Sequence, residues 1–164
     1  MSITLARIDD RVIHGQITTR WSKARQVQGI IVISDKVATD ELRKRVLKAA
    51  AGDLKLGIFP VSQAAEKVKM AMDSPKPFFL ISDSPQYFSQ MADLGIDWGG
   101  DLDIGCMNTR EGAKVLGRSV AIDQADYDAF ENMVSKGINV YFQLLPDDEK
   151  KSWESLKKKY NSMD

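Results

Sequence analysis

Two nearly unbroken apolar runs, GIIVIS at Gly29–Ser34 and PFFLIS at Pro77–Ser82, limit most strongly how this chain can fold. A strand with one wet face alternates apolar and polar residues. A short run without alternation needs apolar cover on both faces, as a parallel strand has inside a sheet flanked by helices. Three more runs read as strands: ITLAR at Ile3–Arg7, LKLGIF at Leu54–Phe59 and NVYFQLL at Asn139–Leu145. LDIG at Leu102–Gly105 and SVAI at Ser119–Ile122 form a weaker pair of short candidates.

Helical periods fill the gaps. GQITTRWSKARQ, Gly15–Gln26, reads as the first helix, with Ile17 and Trp21 four apart. ATDELRKRVLKAAA sets Leu42, Val46 and Ala49 or Ala50 on one face, with Thr39 or Asp40 as N-cap. VSQAAEKVKMAM aligns Val61, Ala64 or Ala65, Val68 and Met72 behind Ser62 as a cap. SPQYFSQMADLG has proline in its first turn and Gly95 beyond its end. DQADYDAFENMVSKG opens on acids and closes on Gly137, and the charged last helix has Trp153, Leu156 and Tyr160 as its apolar side. Strand and helix alternate throughout. The expected fold is therefore α/β: one domain over residues 1–164, with an open, mostly parallel central sheet of about six or seven strands and helices on both faces.

Composition narrows the function classes. Twenty-three basic residues balance twenty-three acidic ones, which argues against an extended nucleic-acid footprint. Cys106 is the only cysteine, so no internal disulfide or cysteine metal site is expected, in keeping with a reducing cytoplasm. No run approaches the roughly 18 apolar residues of a spanning helix, so no direct membrane insertion is expected.

In open α/β sheets, ligands bind beyond the carboxyl ends of the strands. The segment after the first strand, ARIDDRVIHGQI, holds the only histidine, His14, just before the first helix. A helix N-terminus disfavours an imidazolium and welcomes an anion. Gly15 lets backbone approach an incoming group, and Arg11 offers a planar fork to phosphate oxygens. Asp9 either fixes the tautomer of His14 by accepting its ring N–H or holds Arg11 in place. Asp10 is an alternative cap. These residues point to phosphoryl transfer on a histidine, while a merely hydrogen-bonded loop histidine stays open. Other chemistries lack their parts. There is no acid at the end of the third strand for a phosphoaspartate receiver and no glycine-rich dinucleotide turn or P-loop. A G-x-S-x-G elbow and a second histidine for zinc are also missing.

LARIDDRVIHGQITTRWSK closely resembles the N-terminal signature of enzyme IIB proteins of the bacterial sugar phosphotransferase system (PTS), mannose/fructose/sorbose family. Every fixed position of R-I-D-x-R-(V/L)-I-H-G-Q is present. IIVISDKVATDELRKRVLKAAA and VSKGINVYFQLLPDD resemble the family's second strand and helix and its last strand. The resemblance implies a phosphocarrier that takes a phosphoryl group from a phosphohistidine of enzyme IIA. It would pass the group to a sugar held by the membrane components IIC and IID, with no cofactor and no metal. His14 would be the carrier through Nδ1, Arg11 the phosphoryl clamp and Asp9 the motif's acid. Gly15 and Gln16 would lie at the phosphate-binding junction of loop and helix. One stretch departs from the pattern: Asp103 stands where the family commonly has an amide, followed by Ile104, Gly105, Cys106 and Met107. Beside a phosphoryl site, Asp103 is expected to add repulsion. A regulatory or binding module that keeps the fold is the alternative function, and a hydrolase using His14 as base is a weaker one.

Overall fold

The computed structural model describes residues 2–163. Its strands are β1 (Ile3–Asp9), β2 (Gly29–Ile33), β3 (Lys55–Phe59), β4 (Phe78–Ser82), β5 (Asp101–Cys106), β8 (Asn139–Phe142) and β9 (Lys151–Ser152), with β6 (Lys114–Val115) and β7 (Ala121–Ile122) as a separate antiparallel pair. The seven-stranded sheet has the order β3-β2-β4-β1-β5-β8-β9 and is parallel except for β9. SVAI thus lies outside the main sheet, joined to its neighbourhood by a Met107–Val120 bridge. LDIG, the weaker candidate, lies inside β5 beside β1.

Two apolar clusters fill the two sides of the sheet. One gathers Ile3, Ala6 and Ile8 with α4 (Ala64–Asp73), α5 (Pro85–Asp93), α6 (Gln124–Ser135) and α7 (Trp153–Ser162). The other gathers Leu5, Ile17, Trp21, Ile30, Val32, Phe79 and Ile81 with α2 (Asp35–Ala38) and α3 (Glu41–Ala51). The runs GIIVIS and PFFLIS supply residues to both clusters, which is why they show no alternation. Trp98, Trp153 and Tyr160 are all buried packing anchors.

The helix caps follow local chemistry. The Asp40 side chain accepts the Arg43 N–H at 3.0 Å, Ser84 caps α5 ahead of Pro85, and Asp123 with Asp126 closes a capping box on α6. Ser62 does not cap. The chain enters α4 through a 3-10 turn, Val61–Gln63, whose first N–H is taken by Asp35 Oδ1 at 2.8 Å.

Two helices differ from the sequence expectation. On α3, Leu42 and Val46 are 68% and 58% exposed, while Leu47 and Ala51 are buried. The pattern offered two overlapping apolar stripes. Leu47 and Ala51 join the apolar cluster on that side of the sheet, while Arg43 on the same helix reaches the Asp10 carbonyl at 2.9 Å and faces Asp83. The first helix is a π-helical stretch, Ile17–Trp21, followed by α1 (Ser22–Ala24), and it ends before Gln26. Thr19 and Ser22 hydroxyls bond the carbonyls of Gly15 and Thr18, which opens the helical turn. The wider turn still buries Ile17 and Trp21 together.

The chain leaves β1 for β2 on one side and leaves β5 for β8 on the other. The crevice between the carboxyl ends of β1 and β5 is thus the place where connections diverge.

Candidate functional site

Strand alternation places Arg7 and Asp9 on the same side of β1 as Leu5, opposite Ile8. The loop that follows turns sharply. Val12 N–H donates to the Asp9 carbonyl at 2.9 Å, and Val12 itself has φ 62°. That is a left-handed conformation rare for a β-branched residue. Burial of Val12 and Ile13, 0% and 4% exposed, holds the turn. His14 comes next, immediately before the helical stretch, with its carbonyl accepting from Ile17 and Thr18.

The turn returns the imidazole to β1. His14 Nε2 lies 2.8 Å from Asp9 Oδ2. Burial opposes ionisation of Asp9, but the His14 hydrogen bond, the Arg7 charge and the Arg11 backbone N–H outweigh it. Together they hold the carboxyl below its ordinary range. An ionised carboxylate only accepts, so Nε2 carries the proton and Nδ1 keeps its lone pair. The Gln16 backbone N–H points at that lone pair from 3.3 Å. The second oxygen of Asp9 takes the Arg11 backbone N–H at 3.0 Å and its Nε at 3.3 Å. Asp9 therefore holds both His14 and Arg11, one with each oxygen. Among the described residues, the outer end of Arg11 meets only the Gln16 side-chain oxygen, at 3.4 Å. Its Nη1 has no protein partner among the described residues.

Behind Asp9 lies a fully buried guanidinium. Arg7 Nη1 donates to Asp103 Oδ2 at 2.6 Å and to the Gln143 carbonyl at 3.0 Å. Its Nη2 donates to Asp9 Oδ2 at 3.2 Å and to the Leu144 carbonyl at 3.0 Å. NVYFQLL ends as a strand at Phe142, and the next two carbonyls are those bound by Arg7. The Trp21 ring covers the guanidinium at 5.1 Å, and its Nε1 donates to the Leu144 carbonyl at 3.2 Å. Gly105 lies directly beneath: a Cβ there would fall inside the guanidinium.

The expectation for Asp103 is corrected here. Its carboxylate is turned inward onto Arg7 instead of facing a phosphoryl group as a bare repulsive charge. Burial pushes its pKa up to about 7, against the pull of Arg7. Between its ordinary 3.8 and about 7, the folded chain keeps a proton that the unfolded chain has lost. Unfolding then releases a proton, so this group's contribution to stability falls as pH rises through that window. The loss is on the order of 4 kcal/mol and levels off above pH ~7. Asp103→Asn forfeits one acceptor at every pH. Relative to the variant, the wild-type chain should lose stability between pH 4 and 7.5, as read by urea unfolding at each pH. A constant difference would show that Asp103 stays ionised.

Asp10 does not cap the helix. Its carboxylate accepts the Asn108 N–H, and its own N–H donates to the Cys106 carbonyl at 3.0 Å. It thereby ties the two loops of the crevice together. Cys106 is buried, and burial pushes its thiol pKa up, so it packs rather than reacts. Above Gly15 the space is open.

With this geometry in hand, the comparisons with known proteins are decisive. A family model described as "PTS system sorbose subfamily IIB component" matches residues 3–164. The chain belongs to this family. It is 34% identical over 149 residues to the fructose-specific EIIB component of the PTS of Bacillus subtilis (strain 168), covering 90% of this chain and 91% of that one. It is 32% identical over 154 residues to the mannose-specific EIIAB component of Escherichia coli (strain K12), covering 92% of this chain but 46% of that one. The crystal structure of the IIBSor domain of the sorbose permease from Klebsiella pneumoniae superposes with a TM-score of 0.87 at 32% identity, covering 99% of both chains.

For this IIB chain, the structure brings Asp9, Arg11, His14 and Gln16 into direct contact. Sequence reasoning missed Arg7 as a site residue, along with Asp103 and Gly105 beneath it. One signal was available: a cation two residues before an acid, both on one face of an otherwise apolar strand.

Proposed function

We propose that this IIB chain is a phosphocarrier of the PTS. His14 accepts a phosphoryl group from a phosphohistidine of enzyme IIA and passes it to a sugar of the mannose, fructose, sorbose or amino-sugar class held by IIC and IID. One observation carries this reading: Asp9 takes Nε2 of the only histidine with one oxygen and holds Arg11 with the other, which leaves Nδ1 as the nucleophile. In the transfer, the Nδ1 lone pair forms the new N–P bond as the donor's N–P bond breaks, and the donor imidazole takes back its electron pair. Positioning and charge stabilisation supply the catalysis. As the N–P bond forms, the Gln16 N–H leaves the Nδ1 lone pair and turns with the free donors of Arg11 to the phosphoryl oxygens, and Asp9 stabilises the cation that develops on the ring. Gly15 leaves room for the incoming group. No cofactor or metal enters this reading.

The EIIAB designation of the E. coli relative supports IIA as the partner. In this reading the chain works in the cytoplasm and meets the membrane through IIC and IID. Among the described residues, no helix is long and apolar enough to cross one.

The test is phosphoryl uptake from purified IIA and the general PTS components, followed by nitrogen–phosphorus NMR of His14. One phosphoryl group on Nδ1 is expected. Attachment at Nε2, at another residue, or nowhere overturns the proposal. In the same assay Arg11→Ala should slow uptake on the order of 100-fold with the fold intact. An unchanged rate would reduce Arg11 to a surface cation.

A further inference from the structure

The buried network behind His14 contains more charge than a structural tie requires. One guanidinium, Arg7, meets two carboxylates, and all three side chains are fully buried. A single carboxylate would neutralise Arg7. The second leaves the trio with a net negative charge when both are ionised, which a low-dielectric interior penalises. Arg7 also does not share itself evenly. It sits 2.6 Å from Asp103 and 3.2 Å from Asp9.

We propose that Asp103 and Arg7 are positioning residues for the chemistry at His14. Asp103 draws the Arg7 guanidinium toward itself. Asp9 is left with enough uncompensated charge to hold His14 as its Nε2–H tautomer and to stabilise the ring cation formed on phosphorylation.

The geometry supports each link. Asp103 Oδ1 is fixed by the Gln143 N–H at 3.0 Å, so its other oxygen stays on Arg7. The Gln143 and Leu144 carbonyls and the Trp21 ring confine the guanidinium. It is held between the two carboxylates, closer to Asp103 than to Asp9. Asp9 Oδ2 is the atom shared by Arg7 and His14. Any charge that Arg7 withdraws from it is felt directly by Nε2. Arg11 neutralises Asp9 less effectively, because its side chain is 43% exposed and screened by solvent.

Charged and titratable groups reach Asp103 from each packed element: Arg7 and Asp9 from β1, Tyr141 from β8 and Arg25 from beyond α1. Asp101 shares its own strand. None of the others is a carboxylate aimed at the same guanidinium except Asp9. Burial raises Asp103 into the neutral range, so the charge that does this positioning is present above about pH 7 and fades below it. A unit charge acting over roughly 10 Å through a protein of effective dielectric ~20 changes a rate by about tenfold.

This inference rests on His14 being the carrier, and its test separates the two claims. The protein is labelled at the imidazole nitrogens and compared with Asp103→Asn. Ring shifts are followed from pH 5.5 to 9 without any donor, and phosphoryl uptake from IIA is timed over the same range. The wild-type ring signals should show a step near pH 7 that reports Asp103, and Asp103→Asn should lack it. Uptake by Asp103→Asn at pH 8 should be about tenfold slower than wild type, with the difference shrinking toward pH 6. Superimposable ring titrations and rate profiles would overturn the inference and leave the carrier role standing. If wild type takes up no phosphoryl group, the carrier role fails, and the donor-free ring titration still decides whether Asp103 reaches His14.

Discussion

His14→Ala should take up no phosphoryl group from IIA, while its circular dichroism matches wild type and its unfolding stays cooperative at a slightly lower midpoint. The loss should be complete because His14 is the only histidine of the chain. No neighbour can take its place: Cys106 is buried with a raised thiol pKa, and the acids of the loop are already paired. The fold should survive because the loop is anchored by Val12 and Ile13, not by the ring. The imidazole makes two polar contacts, to Asp9 and to the Gln16 N–H. Asp9 keeps Arg7 and Arg11 as partners when the ring is removed. Losing a charged hydrogen bond at a partly exposed site costs about 1–2 kcal/mol. A variant that still acquires one acid-labile phosphoryl group would sink the carrier assignment outright.

Gly105→Ala should be among the most damaging single-methyl additions in the molecule. The added Cβ would land within the guanidinium of Arg7, against its central carbon and both terminal nitrogens. Arg7 cannot move aside. Trp21 covers it on one side, two carbonyls hold its ends, and it has no route to water. Two costs combine: overpacking, about 1–3 kcal/mol, and disruption of a buried ion pair, about 3–5 kcal/mol. Together they approach the whole stability of an ordinary domain, about 5–15 kcal/mol. A fall in Tm on the order of 10 °C or more is expected by calorimetry. In an Arg7→Met background, already destabilised by its two unpaired carboxylates, Gly105→Ala should cost much less than it does in wild type, because the colliding group is gone. A Tm within two or three degrees of wild type for the single variant would show that the guanidinium has room the structure does not display.

The His14 loop was legible in the sequence because its parts are close together. Asp9, Arg11, His14, Gly15 and Gln16 fall within eight residues, and local rules for strand ends and helix starts already bring them to one spot. What was not legible lies across the sheet. Asp103 is 96 residues from Arg7, and the carbonyls of Gln143 and Leu144 are farther still. Read along the chain, Asp103 was an unpaired acid near an anion site, so repulsion was the natural expectation. Beside Arg7 it has a partner, and only the pairing of β1 with β5 reveals it.

The same division runs through the fold. Unbroken apolar runs and their alternation with helical periods determined by themselves that the sheet would be parallel and covered on both faces, because burial on two sides leaves no place for polar residues. The caps at Asp40, Ser84 and Asp123 were equally local, since each satisfies N–H groups one turn away. Tertiary structure alone decided which stripe of α3 turned inward, because two were available and only the one with Leu47 and Ala51 meets the apolar cluster on the sheet. It alone decided that Ser119–Ile122 would leave the main sheet and that Gln143 and Leu144 would end β8 to serve Arg7. The chemistry of His14 follows the same rule. Its neighbours in sequence place it and give it Asp9. The charge on Asp9 depends on a guanidinium and a second carboxylate that only the folded sheet brings within reach.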